Sequence, residues 1–159
     1  MGIVEEKIVM MGLVLPQLPS AAGLYSPAVR SGNQVYTSGQ LPVLDGKLVE
    51  PGGKGNINEE RKDEAVYASR VALLNALAAI KSVTGTLDSI ERIVKLTLYV
   101  ASEQNFFSQH IVANGASSLL HEIFGEQGRH ARSTAGVAAL PMNASLEIEL
   151  VVLCKFPVL

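Results

Sequence analysis

Arg129, His130 and Arg132 stand just ahead of one strand-like run, and Glu147 and Glu149 stand early in the next. A guanidinium is a planar fork that grips a carboxylate through two parallel hydrogen bonds. A carboxylate nearby can hold a water or take a proton. One of these arginines is therefore a candidate anion holder, and one of these glutamates a candidate to handle a proton or water. Glu147 and Glu149 share a strand face by their period-two spacing. In an otherwise apolar strand at least one of them needs a partner, because an unpaired buried carboxylate is costly. A purely structural Arg–Glu pair fixing the sheet end accounts for the same residues, and the sequence leaves both readings open.

Other chemistries lack their residues. There is no GxxxxGK[ST] phosphate loop and no GxGxxG, and Gly52-Gly53-Lys54-Gly55 reads as a surface loop. His110, His121 and His130 have no metal-binding spacing, and His121-Glu122 lacks a second His on its helix. Neither a metal nor a cofactor is expected. Ser38-Gly39-Gln40 is not a nucleophile elbow. The single Cys154 excludes an internal disulfide, and its apolar strand makes it a buried, inert thiol. His130 and Arg129 read as ordinary loop or surface residues.

The chain has 159 residues and a formal net charge of −2, with a pI of about 5.9. That length suits one domain over residues 1–159, with 1–22 an N-terminal helix and extension. No basic face is available to neutralise phosphates, which disfavours a nucleic-acid binder. With 48% hydrophobic residues and a mean hydropathy of +0.26, some surface should be covered by a partner subunit. Glu5, Glu6 and Lys7 interrupt the N-terminal apolar run, so it is not a signal peptide. No membrane-spanning stretch is expected, and the cytoplasm is the default location.

The elements that must carry Arg132 and Glu147 follow from periodicity. Ile3, Val4, Ile8 and Met11 recur at helical spacing before Gly12, and residues 16–23 form a loop. Ser26–Arg30 and Gln34–Ser38 flank Ser31-Gly32-Asn33, a hairpin signature. A helix is expected from about Asn58 to Val83, with Val66, Leu73, Leu77 and Ile80 on one face. Glu91–Val100 alternates, with Val94, Leu96, Leu98 and Val100 on one side. A second helix is expected from about Glu103 to Phe124, with Phe107, Ile111, Ala116, Leu119, Leu120 and Ile123 inward. Strands over about Ser133–Ala138 and Ala144–Phe156 follow, the last apolar enough to be central. This order gives an α+β fold, a mixed sheet with two main helices on one face and a short N-terminal helix. The other face needs a cover, and oligomerisation supplies one.

The chain resembles the YjgF/YER057c/UK114 family, also called the reactive-intermediate deaminase family. The resemblance rests on Gly23-Leu24-Tyr25-Ser26-Pro27, on Tyr36-Thr37-Ser38-Gly39-Gln40-Leu41-Pro42 and on Ile93-Val94-Lys95-Leu96-Thr97-Leu98-Tyr99-Val100. Its strongest parts are Ala131-Arg132-Ser133-Thr134-Ala135-Gly136-Val137 and Leu146-Glu147-Ile148-Glu149. The N-terminal helix and the run from Asn114 to Ser133 are similar to a longer subgroup. The resemblance implies a chorismate-mutase-like fold and a homotrimer with clefts between subunits. It implies cofactor-free hydrolysis of enamines and imines to 2-oxo acids and ammonia. Residue by residue, it implies that Arg132 holds the substrate carboxylate and Glu147 the attacking water. Tyr25, Gly39 and Asn114 would line the cleft. Many members carry Cys where Thr134 stands, and Thr134 keeps a hydroxyl or backbone contact there. The alternative is a binding protein for 2-oxo acids or other small carboxylates that does not turn them over. An endoribonuclease is disfavoured by the acidic pI and the lack of a His pair.

Overall fold

Gly32 adopts a positive φ of 60°, which suits the first central position of a tight hairpin turn. Ser31 pairs with Gln34 across it, joining β1 (Ala28–Ser31) to β2 (Gln34–Thr37). The computed structural model describes residues 1–18 and 24–156. Most of the loop expected over residues 16–23 therefore lies outside the described residues. Along the chain, α1 (Ile3–Met10) precedes this hairpin. It is followed by a small hairpin of β3 (Val43–Leu44) and β4 (Lys47–Leu48), by α2 (Lys62–Thr84) and by β5 (Ile90–Ala101). Then come α3 (Gln109–Phe124), β6 (Ala131–Val137) and β7 (Leu146–Cys154).

The main sheet has the order β1-β2-β7-β5-β6. The apolar β7 is its middle strand, and its neighbours β2 and β5 both run antiparallel to it. β6 is the edge, parallel to β5, with α3 as the crossover. One face carries Leu96, Leu98 and Val100 of β5 and Leu146, Ile148, Leu150 and Val152 of β7, all fully buried. Burying such a side chain is worth about 1.5–3 kcal/mol relative to leaving it in water. α2 packs on β1, β2 and β7, α3 packs on β5 and β6, and the two helices pack on each other. α2 is the one described helix long and apolar enough to cross a membrane, and 61% of its most apolar window is buried in this core.

Among the described residues the opposite sheet face has no such cover. Val151, Leu153, Thr97 and Tyr99 are only half-buried there, while Val29 and Tyr36 are exposed.

Several expectations shift. Val94 does not continue the buried row, because the register slips between Ile93 and Lys95 and puts Ile93 inside instead. α3 starts at Gln109 rather than near Glu103, since Asn105 takes a left-handed φ of 69°. Phe107 is exposed and its neighbour Phe106 fills the core. α2 begins at Lys62, after the Asn58 side chain accepts a hydrogen bond from the Arg61 amide. Gly52 and Gly53 are buried rather than loose on the surface, and a Cβ on either would strike backbone.

α1 is held by reciprocal capping. The Asp88 carboxylate accepts from the Ile3 and Val4 amides, each at 2.8 Å. Glu5 of α1 is buried and accepts from the Leu87 amide at 3.0 Å. Each carboxylate satisfies N–H groups that a helix start leaves without intrahelical partners.

Candidate functional site

Arg132 is the second residue of β6 and lies opposite Leu96, so it shares the helix-facing side of the sheet. There α3 presents three acceptors at helical spacing. The Nη1 group donates to Asn114 Oδ1 at 2.9 Å and to Ser117 Oγ at 3.1 Å. Nη2 donates to the His110 carbonyl at 3.3 Å. Residues 110, 114 and 117 fall on one helix face, which is why a single guanidinium reaches all three. Among the described residues no carboxylate pairs with Arg132. Its Nε–H and one Nη2–H remain without a partner among the described residues. Thr134, two residues on, is on the same strand face and half-buried.

Glu147 sits elsewhere. It lies opposite Tyr99 on β7 and faces the uncovered side of the sheet. A Cβ on Gly39 would coincide with the Glu147 carboxylate, so only glycine allows this approach. Gln40 bridges to Ile148 through backbone bonds of 2.8 and 2.9 Å, which fixes Gly39 beside Glu147. The Ser38 hydroxyl donates to the Ser26 carbonyl at 2.6 Å, tying the segment of Tyr25 to the same region. Tyr25 itself is 68% exposed. Burial, and then repulsion from Glu149, push the Glu147 pKa above its ordinary value. Glu149, followed by burial, raises the Tyr99 phenol and keeps it protonated. A carboxylate with a raised pKa holds an accepted proton more firmly than an ordinary one, which suits a proton acceptor.

The sequence-predicted residues thus fall into two groups. Arg132, Asn114 and Thr134 lie at the β6 edge, and Glu147, Gly39 and the Tyr25 segment lie on the uncovered face. Two strand spacings of about 4.8 Å and three residues of about 3.3 Å put the Cα atoms of Arg132 and Glu147 on the order of 14 Å apart. Their side chains also leave opposite faces of the sheet. This geometry excludes the structural Arg132–Glu147 pair within one chain. Ser117 is absent from the sequence-based candidates, although its spacing from His110 and Asn114 was the available signal. His130 is half-buried and hydrogen-bonded rather than a plain surface residue. Cys154 is buried, and burial raises its thiol pKa, as expected of an inert side chain. Among the described residues no cluster of three or more His, Cys, Asp or Glu side chains is placed to hold a metal ion.

The sequence is 38% identical to Protein TCP17 of Trypanosoma cruzi, over 95% of this chain and 94% of that protein. It is 30% identical to a 2-iminobutanoate/2-iminopropanoate deaminase of Dermatophagoides farinae, over 88% of this chain and 93% of that one. The crystal structure of the protein Atu1372 from Agrobacterium tumefaciens superposes with a TM-score of 0.84 at 38% identity, covering 96% of this chain and 92% of that chain. The family model described as "YjgF/chorismate_mutase-like, putative endoribonuclease" matches residues 5–154. With its mixed sheet and its helices on one face, the chain belongs to the YjgF/chorismate-mutase-like family.

Proposed function

We propose that the protein hydrolyses imines and enamines of small 2-oxo acids to the 2-oxo acid and ammonia, in clefts between the subunits of a homotrimer. The observation that carries this reading is Arg132, a half-buried guanidinium held by three neutral acceptors, with two N–H donors left over among the described residues. Those two donors match one carboxylate. Water adds to the imine carbon while Glu147 takes its proton. The proton returns to nitrogen, and the amino alcohol collapses to a carbonyl and ammonia. The raised pKa of Glu147 suits this exchange. Arg132 and Glu147 would meet across subunits, with the uncovered sheet face as the contact surface. The net charge of −2 weighs against RNA as the substrate.

The test is ammonia release from freshly generated 2-iminobutanoate, with Arg132→Ala as control. The expected result is release above the spontaneous rate in the wild type and near it in the variant. Tight binding of 2-oxobutanoate without any acceleration would make the protein a carboxylate-binding protein instead. Neither binding nor turnover would remove the reading altogether.

A further inference from the structure

His130 lies outside the proposed chemistry, yet its ring is fixed at both nitrogens. Nδ1 is 2.6 Å from the Gly128 carbonyl. A carbonyl only accepts, so Nδ1 carries the proton. Nε2 is then an acceptor, and the Ser117 hydroxyl, 2.9 Å away, donates to it. With its proton committed, Ser117 Oγ offers a lone pair toward Arg132 Nη1, 3.1 Å away. The bonds run in one direction, from Arg132 through Ser117 and His130 to Gly128.

We propose that Ser117 and His130 are positioning residues that orient Arg132 so that its free donors meet a ligand carboxylate. This rests on the reading of Arg132 as a carboxylate holder. Three features support it. Gly128 is buried where a Cβ would strike the Leu120 backbone, so its carbonyl is a fixed anchor. The ring is half-buried, and burial first, then the nearby Arg132 charge, hold its pKa below the ordinary value; the Gly128 bond opposes this in part. A neutral ring keeps Nε2 an acceptor at physiological pH. Ser117 also shares Nη1 with Asn114, and two acceptors on one nitrogen define the rotation of the guanidinium plane. Arg129 takes no part: it is exposed, and among the described residues its side chain makes only a loose 3.8 Å contact with Glu126.

The experiment is calorimetric titration of 2-oxobutanoate into wild type, Ser117→Ala, Ser117→Thr, Arg132→Lys and the Ser117→Ala/Arg132→Lys double variant. The expected loss in Ser117→Ala is roughly threefold to tenfold, within the net worth of one intramolecular hydrogen bond, since Asn114 still holds Nη1. Ser117→Thr, which keeps the hydroxyl, should restore most of it. In the Arg132→Lys background the Ser117 change should add less than about twofold, since coupled residues are not additive. An equal loss in both backgrounds, or none in the wild type, overturns the proposal. A ligand-free readout runs beside it: exchange of the Arg132 Nη1 protons, one of which Ser117 accepts, with water, followed by NMR. Slow exchange in the wild type and Ser117→Thr but fast exchange in Ser117→Ala supports the relay, and unchanged exchange overturns it. If the wild type fails to bind 2-oxobutanoate, the carboxylate reading falls, and the exchange measurement still decides whether Ser117 holds Arg132.

Discussion

Mixing two impaired variants, Arg132→Ala and Glu147→Gln, should recover more activity than either has alone. Arg132 and Glu147 leave opposite faces of the sheet and belong to strands separated by β5. A cleft that uses both must take each from a different copy. Losing the charge-assisted bonds of Arg132 costs about 1.5–3 kcal/mol, so that variant alone should fall tenfold to above a hundredfold in kcat/KM. In oligomers assembled at random from equal amounts of both variants, an intact site needs Arg132 from one neighbour and Glu147 from the other. Each choice has a chance of one half, so about a quarter of the sites in a cyclic assembly should be whole. The assay is imine hydrolysis after co-refolding from denaturant, compared with each variant refolded separately. Recovery toward one quarter of wild type is expected. A mixture no more active than the mean of its parents would refute the shared cleft.

Arg132→Lys should lower kcat/KM for imines by roughly tenfold or more, because lysine keeps the charge and loses the fork. Its melting temperature should fall only slightly, since no buried counter-charge is stranded. Glu147→Gln should raise stability at neutral pH. The folded pKa of Glu147 lies above its unfolded value of 4.5, so its favourable state is complete below that value and is lost as pH rises through the folded pKa. Thermal melts of both proteins across pH 4 to 8 should diverge with rising pH, and parallel curves would contradict the burial argument. Asp88→Ala should cost about 1 kcal/mol, the usual worth of a cap, and should speed hydrogen exchange in α1. The Ile3 and Val4 amides lower the Asp88 pKa, so its contribution is present above the ordinary value of 3.8 and is lost as pH falls through the folded one.

The periodic parts of the chain were legible. The apolar run of β7 foretold a central strand, and the alternation of β5 foretold a one-sided burial. Gly32 announced the first hairpin. What failed was counting by two through Ile93–Lys95, because a register slip there reverses the parity of the residues just before it, until a second slip between Ile90 and Arg92 restores it, without any sign in hydrophobicity. The candidate site was legible as residue types but not as geometry. Arg132 and Glu147 look like neighbours because their strands are consecutive. The sheet inserts β5 between them, and strand order is a long-range property that local patterns do not encode. The contacts of Ser117 and His130 depend on where α3 docks over the β6 edge, which is equally non-local.

β7 follows every other strand in the chain yet lies in the middle of the sheet, joining β2 on one side to β5 on the other. During synthesis the β1–β2 hairpin and the β5–α3–β6 unit must therefore wait as separate pieces until residues 146–154 leave the ribosome. No partial chain holds a continuous sheet, and the closing contacts span more than a hundred residues, such as Val35 with Val152. Folding is accordingly late and cooperative rather than progressive. Shortening the chain into β7 would remove the centre of the sheet, whereas trimming α1 would remove a clasp on its rim.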